Sequence, residues 1–158
     1  MDILTRTISL VFQKRLKEIE RFGNEPDHIQ DKQLKMLLDK AKGTLWGEAH
    51  GYKSIRSYTD YQEKVPIQTY DDLKPYINRM IKGEKNVLWP STVKWYAKSS
   101  GTTSDKSKFL PVTNEILHGC HYQGGYDTVT IYLRNRPDSR FFAGKGLILG
   151  RKPQSLAA

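Results

Sequence analysis

Only three short stretches of this chain of 158 residues carry a strand pattern, and two of them flank a polar loop. "VKWYAK" alternates, with Val93, Trp95 and Ala97 on one face and Lys94, Tyr96 and Lys98 on the other, which predicts a half-buried strand. "KFLPV" is a second extended segment. Pro111 there is compatible only with an edge or irregular position, because it has no N–H for a ladder. "GLILG" near the end reads as a buried strand. The remaining patterned stretches are helical, so the expectation is an α/β fold of several helices with a hairpin and an incomplete sheet.

From Leu4 to Ile19 the apolar residues Leu4, Ile8, Val11, Phe12, Leu16 and Ile19 recur at helical spacing. After Pro26, Asp27 and Gln30 stand in capping-box spacing, and a second helix follows that buries Leu34, Leu37, Leu38 and Ala41, with Gly43 as a left-handed stop. "TLWGEAHGY" reads as a short helical turn, and "SIRSYTDYQEKVPI" as a connector that becomes extended before Pro66. Thr69 and Asp72 form another capping pattern for a helix to Gly83, in which Pro75 belongs to the first turn or bends the segment. Thr113 precedes a last helix as its N-cap. Gly124 and Gly125 predict a kink or close contact midway along it.

The bulk properties set outer limits. A chain of this length can bury roughly two thirds of its unfolded surface. The formal charge is +9, which favours an anionic partner without choosing among nucleic acid, membrane surface and phosphorylated small molecule. Basic and acidic residues alternate in "QKRLKEIER", as on a solvated helix face. The single cysteine, Cys120, excludes an internal disulfide, and a reducing cytoplasm is expected. No stretch has the length of apolar sequence that a membrane span requires, and no leader is expected.

The nine residues from Ser99 to Ser107 are more than a simple hairpin turn needs. Gly101 permits close backbone approach, consecutive amides in such a turn can form an anion nest, and the hydroxyls add uncharged donors. Lys106 and Lys108 supply counter-charge. A plain exposed turn has the same composition, so the residues alone leave both readings open. The P-loop NTPase pattern is absent, and the loop leads into a strand rather than a helix.

The order of residues narrows the choice. "SSGTTSDKSK" resembles the phosphate loop of the adenylate-forming superfamily, whose motif runs close to S/T-S-G-S/T-S/T-G-x-x-K. More narrowly, "VPIQTYDDLKPYI", "GEKNVLWP", "WYAKSSGTTSDKSKFLPVT" and "FFAGKGLILG" together resemble the auxin-responsive acyl-acid amido synthetase family, over about residues 1–150. The resemblance implies the N-terminal part of the adenylate-forming fold over 1–150, with 151–158 a tail of unclear origin. It also implies an ATP- and Mg2+-dependent ligase in which a carboxylic acid is adenylated and then transferred to an amino acid. Ser99, Ser100, Gly101, Thr102, Thr103 and Ser104 would wrap the β- and γ-phosphates, with Lys108 at the motif lysine. The chain departs from the motif at Ser104-Asp105, where a second glycine is usual. It is also several times shorter than the family's members. The expectation is a fragment that is catalytically incomplete alone, whether by truncation, frameshift or design, with apolar surface open to self-association.

Other residues support weaker readings. Glu115, His118 and His121 share a helix at a spacing metal ligands use, but no partner helix has matching residues, so no metal site is expected. The resemblance would bring His121 or Gly124 near the acyl substrate. Cys120 is expected to be a small buried residue rather than a nucleophile. Trp89, Trp95, Tyr96 and Tyr122 could stack nucleic-acid bases, but alternation assigns Trp95 to the core. The competing functions are a non-catalytic basic module for RNA or another polyanion, and an inactive truncated gene product.

Overall fold

The structure, a computed structural model, describes residues 3–99 and 107–147, apart from the side chains of Leu4 and Ser9. These residues form two compact units, one from 27–113 and the other from 3–26 with 114–147. The described part is mainly helical with one two-stranded antiparallel sheet.

The unit 27–113 contains α2 (Pro26–Ala41), α3 (Leu45–Ala49), α4 (Tyr58–Lys64) and α5 (Tyr70–Ile81), then β1 (Trp95–Lys98) and β2 (Phe109–Val112). α2 starts at Pro26, whose missing N–H costs nothing in a first turn, so Asp27 is a first-turn acid rather than the cap. Leu38 and Ala41 are buried, whereas Leu37 is exposed. Gly43 is not in the left-handed region, so α2 ends without the stop predicted there. Instead Thr44 donates to the Ala41 carbonyl at 2.7 Å, and its Oγ1 accepts from the Gly47 amide at 3.0 Å, which ends one helix and caps the next. α3 gains two more partners at its free amides: Leu45 N donates to Asn86 O at 2.7 Å and Trp46 N to Val87 O at 3.1 Å.

α4 occupies what reads in sequence as a connector. Ser57 and Asp60 form a reciprocal capping box there. α5 starts as predicted, with Thr69 and Asp72 closing their box, but Pro75 sits in its second turn and withholds the N–H that the Asp71 carbonyl would otherwise accept. The helix closes at Gly83, φ 88°, where Gly83 N donates to Met80 O and Glu84 N to Arg79 O, a Schellman arrangement. The core of this unit is Met80, Val87 and Val93, flanked by Tyr76, Leu88, Trp89 and Tyr96.

Trp95 pairs with Val112, Tyr96 with Pro111, Ala97 with Leu110 and Lys98 with Phe109. Tyr96 packs on the core, and Trp95 is 58% exposed, which reverses the predicted faces. Alternation separates two faces but does not say which one meets the rest of the protein, and the Met80–Val87 cluster lies on the Tyr96 side. Val93 is buried without contradicting this, because it precedes β1 and is not bound by its alternation.

In the other unit, α1 (Ile3–Asn24) packs on a long helix made of α6 (Asn114–Ile116), a π-helical stretch (Leu117–Tyr122) and α7 (Gln123–Asn135). Phe12 is buried between Tyr126, 4.4 Å away between ring centroids, and Phe142, at 6.4 Å. Val11 faces solvent instead. Arg15 forks onto both oxygens of Asp127 at 2.7 and 2.8 Å, a bidentate pair between α1 and α7. The helix irregularity falls at Leu117–Tyr122, ahead of Gly124 and Gly125, and an added Cβ at either glycine would meet nothing within 4 Å. Leu147 is exposed and outside any strand, and the rest of "LILG" lies outside the described residues.

Two substitutions test this packing. A Cβ at position 47 would stand 2.1 Å from the Ala41 carbonyl oxygen. Gly47→Ala is therefore expected to destabilise by about 2 kcal/mol in a urea melt, overpacking outweighing the ~1 kcal/mol alanine gains in helix propensity. The second concerns pH. The Arg15 hydrogen bonds hold the Asp127 carboxyl below its ordinary value, so this contribution to stability exists above the unfolded-state pKa and is lost as pH falls through the folded one. Asp127→Asn should lower stability by about 1–2 kcal/mol at pH 7, with the gap from the parent closing toward pH 3.

Candidate functional site

The Ser/Thr loop springs from the open end of the β1–β2 pair. Ser99 N donates to Lys108 O at 2.9 Å, and Lys108 N donates to Ser99 Oγ at 3.0 Å. The two residues thus clasp each other at the base of the loop. Ser100, Gly101, Thr102, Thr103 and Ser104, with Asp105 and Lys106, lie outside the described residues. Of the predicted phosphate-contacting set, Ser99 and Lys108 are brought together.

The strand geometry follows from this clasp. Because Ser99 and Lys108 occupy a hydrogen-bonding position, Lys98/Phe109 and Tyr96/Pro111 fall at non-hydrogen-bonded ones. Pro111 therefore needs no N–H toward β1. The Phe109 amide points away from β1 and donates to Tyr70 Oη at 2.9 Å. Tyr70 is the first residue of α5, so the Thr69–Asp72 box fixes where that hydroxyl stands. Lys108 Nζ lies 5.6 Å from the centre of the Tyr70 ring, within cation–π range. One aromatic residue thus braces the start of β2 by its hydroxyl and the loop lysine by its ring. Sequence reasoning missed Tyr70; the signal available was its place immediately inside a strong helix cap.

Tyr96 Oη is buried with no hydrogen-bond partner among the described residues, and burial raises the pKa of its phenol. The other singled-out residues gather no chemistry. His118, His121 and Cys120 are exposed on the π-helical stretch, with both imidazoles 5.5 Å from the Tyr122 ring. Cys120 is thus not the buried residue expected, since the π-helical stretch presents it outward. Among the described residues, no group of three His, Cys, Asp or Glu is placed to hold a metal ion, and no helix is long and apolar enough to cross a membrane. Trp89 is partly buried on the Val87 cluster, in keeping with a core role.

A family model described as the GH3 family N-terminal domain matches residues 15–154, which include the clasp and its flanking strands. The chain belongs to the GH3 family. Among curated GH3-like relatives, a jasmonoyl–L-amino acid synthetase of Nicotiana attenuata is 31% identical over 120 residues, 74% of this chain and 21% of the relative. Two indole-3-acetic acid-amido synthetases of Arabidopsis thaliana are 30% and 31% identical over 105 residues, covering 66% of this chain and 18% and 19% of the relatives. This GH3 chain spans about a fifth of the length of the curated relatives it matches.

The brace makes a direct prediction for this GH3 segment. Tyr70→Phe keeps the ring under Lys108 and orphans the Phe109 amide, which should cost about 1–2 kcal/mol. Hydrogen exchange should show the Phe109 amide exchanging faster while the Ser99 amide, bonded to Lys108 O, changes little.

Proposed function

We propose that this chain is the segment of an ATP-dependent acyl-acid amido synthetase that receives the terminal phosphates of the nucleotide, built on the N-terminal part of an adenylate-forming fold. The observation that carries the reading is the Ser99–Lys108 clasp, which closes a hydroxyl-rich loop at its base within the segment matched by the GH3 model. The relatives' names describe the joining of jasmonic or indole-3-acetic acid to amino acids, and the corresponding reaction class here is carboxylate adenylation followed by transfer to an amine.

In that reaction a carboxylate oxygen bonds to the α-phosphorus, the bond to the bridging oxygen breaks, and pyrophosphate leaves. The amine nitrogen then takes the acyl carbon, releasing AMP and losing a proton. The chain's own contribution is electrostatic. Donors around the loop would meet the negative charge that grows on the departing pyrophosphate, and such interactions count most when the donors are fixed beforehand. Tyr70 supports Lys108 in that sense, as a positioning residue. Ser99 Oγ accepts the Lys108 amide and retains its own proton to donate toward a phosphate oxygen. The Mg2+ that accompanies such a nucleotide would neutralise phosphate charge. No described residue of this chain is assigned to it.

The remaining substrates are a carboxylic acid and an amino acid, and turnover is expected to need more of the relatives' length than this chain spans. Binding is the direct test. Mg-ATP should raise the melting temperature of the parent protein, and Lys108→Ala should weaken binding about 10- to 100-fold, the scale of one charge-assisted hydrogen bond, and so remove the rise. Equal rises in both proteins would remove the loop from the proposal.

A further inference from the structure

A cleft of ≈ 480 Å3 lies between the end of α2 and the segment after Gly51. Lys35, Lys42, Lys53 and Arg56 line it, against the one carboxylate of Asp39. Its apolar wall is formed by Leu38 and Ile55, both buried, and by the half-buried Tyr52. Nothing in the proposed reaction uses these residues.

The four cations are held differently. Arg56 donates through Nη1 to the Lys53 carbonyl at 2.8 Å and the Ile55 carbonyl at 3.2 Å, so the backbone fixes its guanidinium without neutralising it. Lys53 has no carboxylate partner among the described residues. Lys35 pairs with Asp31 on α2, and Lys42, just past the helix, pairs with Asp39, but these are exposed pairs, easily exchanged for a stronger anion. Burial, with a smaller contribution from Tyr61, pushes the Tyr52 hydroxyl up to about 12, so the ring adds no negative charge at neutral pH.

We propose that this cleft binds a small molecule carrying two phosphate groups on an uncharged, ring-sized body, of the sugar bisphosphate class. The Arg56 guanidinium and the Lys53 ammonium have no carboxylate partner among the described residues, and the exposed Lys35 and Lys42 pairs can open to a dianion; phosphate accepts from both kinds of donor. The cleft volume falls within the usual range of small-molecule sites. The Tyr52 ring gives the C–H face of a sugar an apolar surface. The four basic residues line one concavity bounded by Leu38 and Ile55, which favours a compact ligand over an extended nucleic-acid strand.

Isothermal titration of the full chain with fructose 1,6-bisphosphate tests this, using the parent, Lys42→Glu/Lys53→Glu and Lys108→Ala. Binding is expected in the parent and in Lys108→Ala alike, and at least about 10-fold weaker in the double variant, as the reversal of two charges in one site should give. Should the double variant lose its far-UV spectrum, Lys53→Ala, at an exposed position, serves the same comparison. No binding by the parent up to about 10 mM, a negligible affinity, or undiminished binding by the folded variant overturns the proposal. So does a single-stranded oligonucleotide that binds more tightly than the bisphosphate and is weakened by the same charge reversals. The Lys108→Ala arm separates this cleft from the loop: loss of Mg-ATP binding there with bisphosphate binding intact leaves both sites standing, and either can fail alone.

Discussion

Two backbone carbonyls, those of Asn86 and Val87, organise the unit 27–113. They accept the Leu45 and Trp46 amides of α3, a helix of five residues too short to persist by propensity. The same short stretch places Val87, with no exposed surface, at the centre of the core and sets Trp89 beside it. Asn86 takes up a left-handed φ of 56° to turn both carbonyls and the Val87 side chain to their tasks. Trp46, held by one of those bonds, meets Tyr76 of α5 edge-on at 5.3 Å. A polar cap and an apolar core are therefore one feature here, and neither would be in place without the chain reversal at Gly83 that precedes them.

The hairpin depends on that arrangement through its buried face. Tyr96 packs on Met80, Val87 and Val93, and this contact, with the Tyr70 hydroxyl on the Phe109 amide, ties a pair of strands to α5. A two-stranded ribbon alone is marginal in water, so these ties decide whether the loop has a fixed base. Pro111 fits because its position asks for no amide toward β1. The residue type least suited to a sheet costs the ladder nothing here, and its ring limits pairing on the other edge.

What was legible in the sequence was mostly local. The Thr69–Asp72 box, the reversal at Gly83 and the two strands follow from side chains acting within a few residues. The Ser57–Asp60 box uses the same chemistry, but it stands among tyrosines and ahead of a proline, and its helix of seven residues has too few turns for periodicity to register. Trp95 and Tyr96 show the other limit: a period of two names the faces, and only a distant cluster decides which is covered. The Gly124–Gly125 pair suggests a kink at that point, but the irregularity of the helix lies ahead of it, as a π-helical stretch over Leu117–Tyr122, because glycine permits distortion without requiring it. At the loop, the motif order named Ser99 and Lys108, while Tyr70 could be found only through the antiparallel register that turns the Phe109 amide toward α5.

The two basic places in this unit differ in how their cations are held, and the difference follows from what each is built on. Lys108 is a single ammonium at a strand end, steadied by an aromatic face and by the backbone exchange with Ser99, so its position is set by the register of the hairpin. Arg56 is fixed by two carbonyls of its own turn, Lys35 rides on α2 and Lys42 follows its last residue, so the cleft is shaped by local chain geometry that needs no sheet. A change that frees the hairpin, such as loss of the Tyr96 packing, would therefore disturb the loop base first and leave the cleft's charges where they are. The converse holds for a change in the turn after Gly51, whose φ of 62° sets the direction in which Tyr52, Lys53 and Arg56 leave the chain.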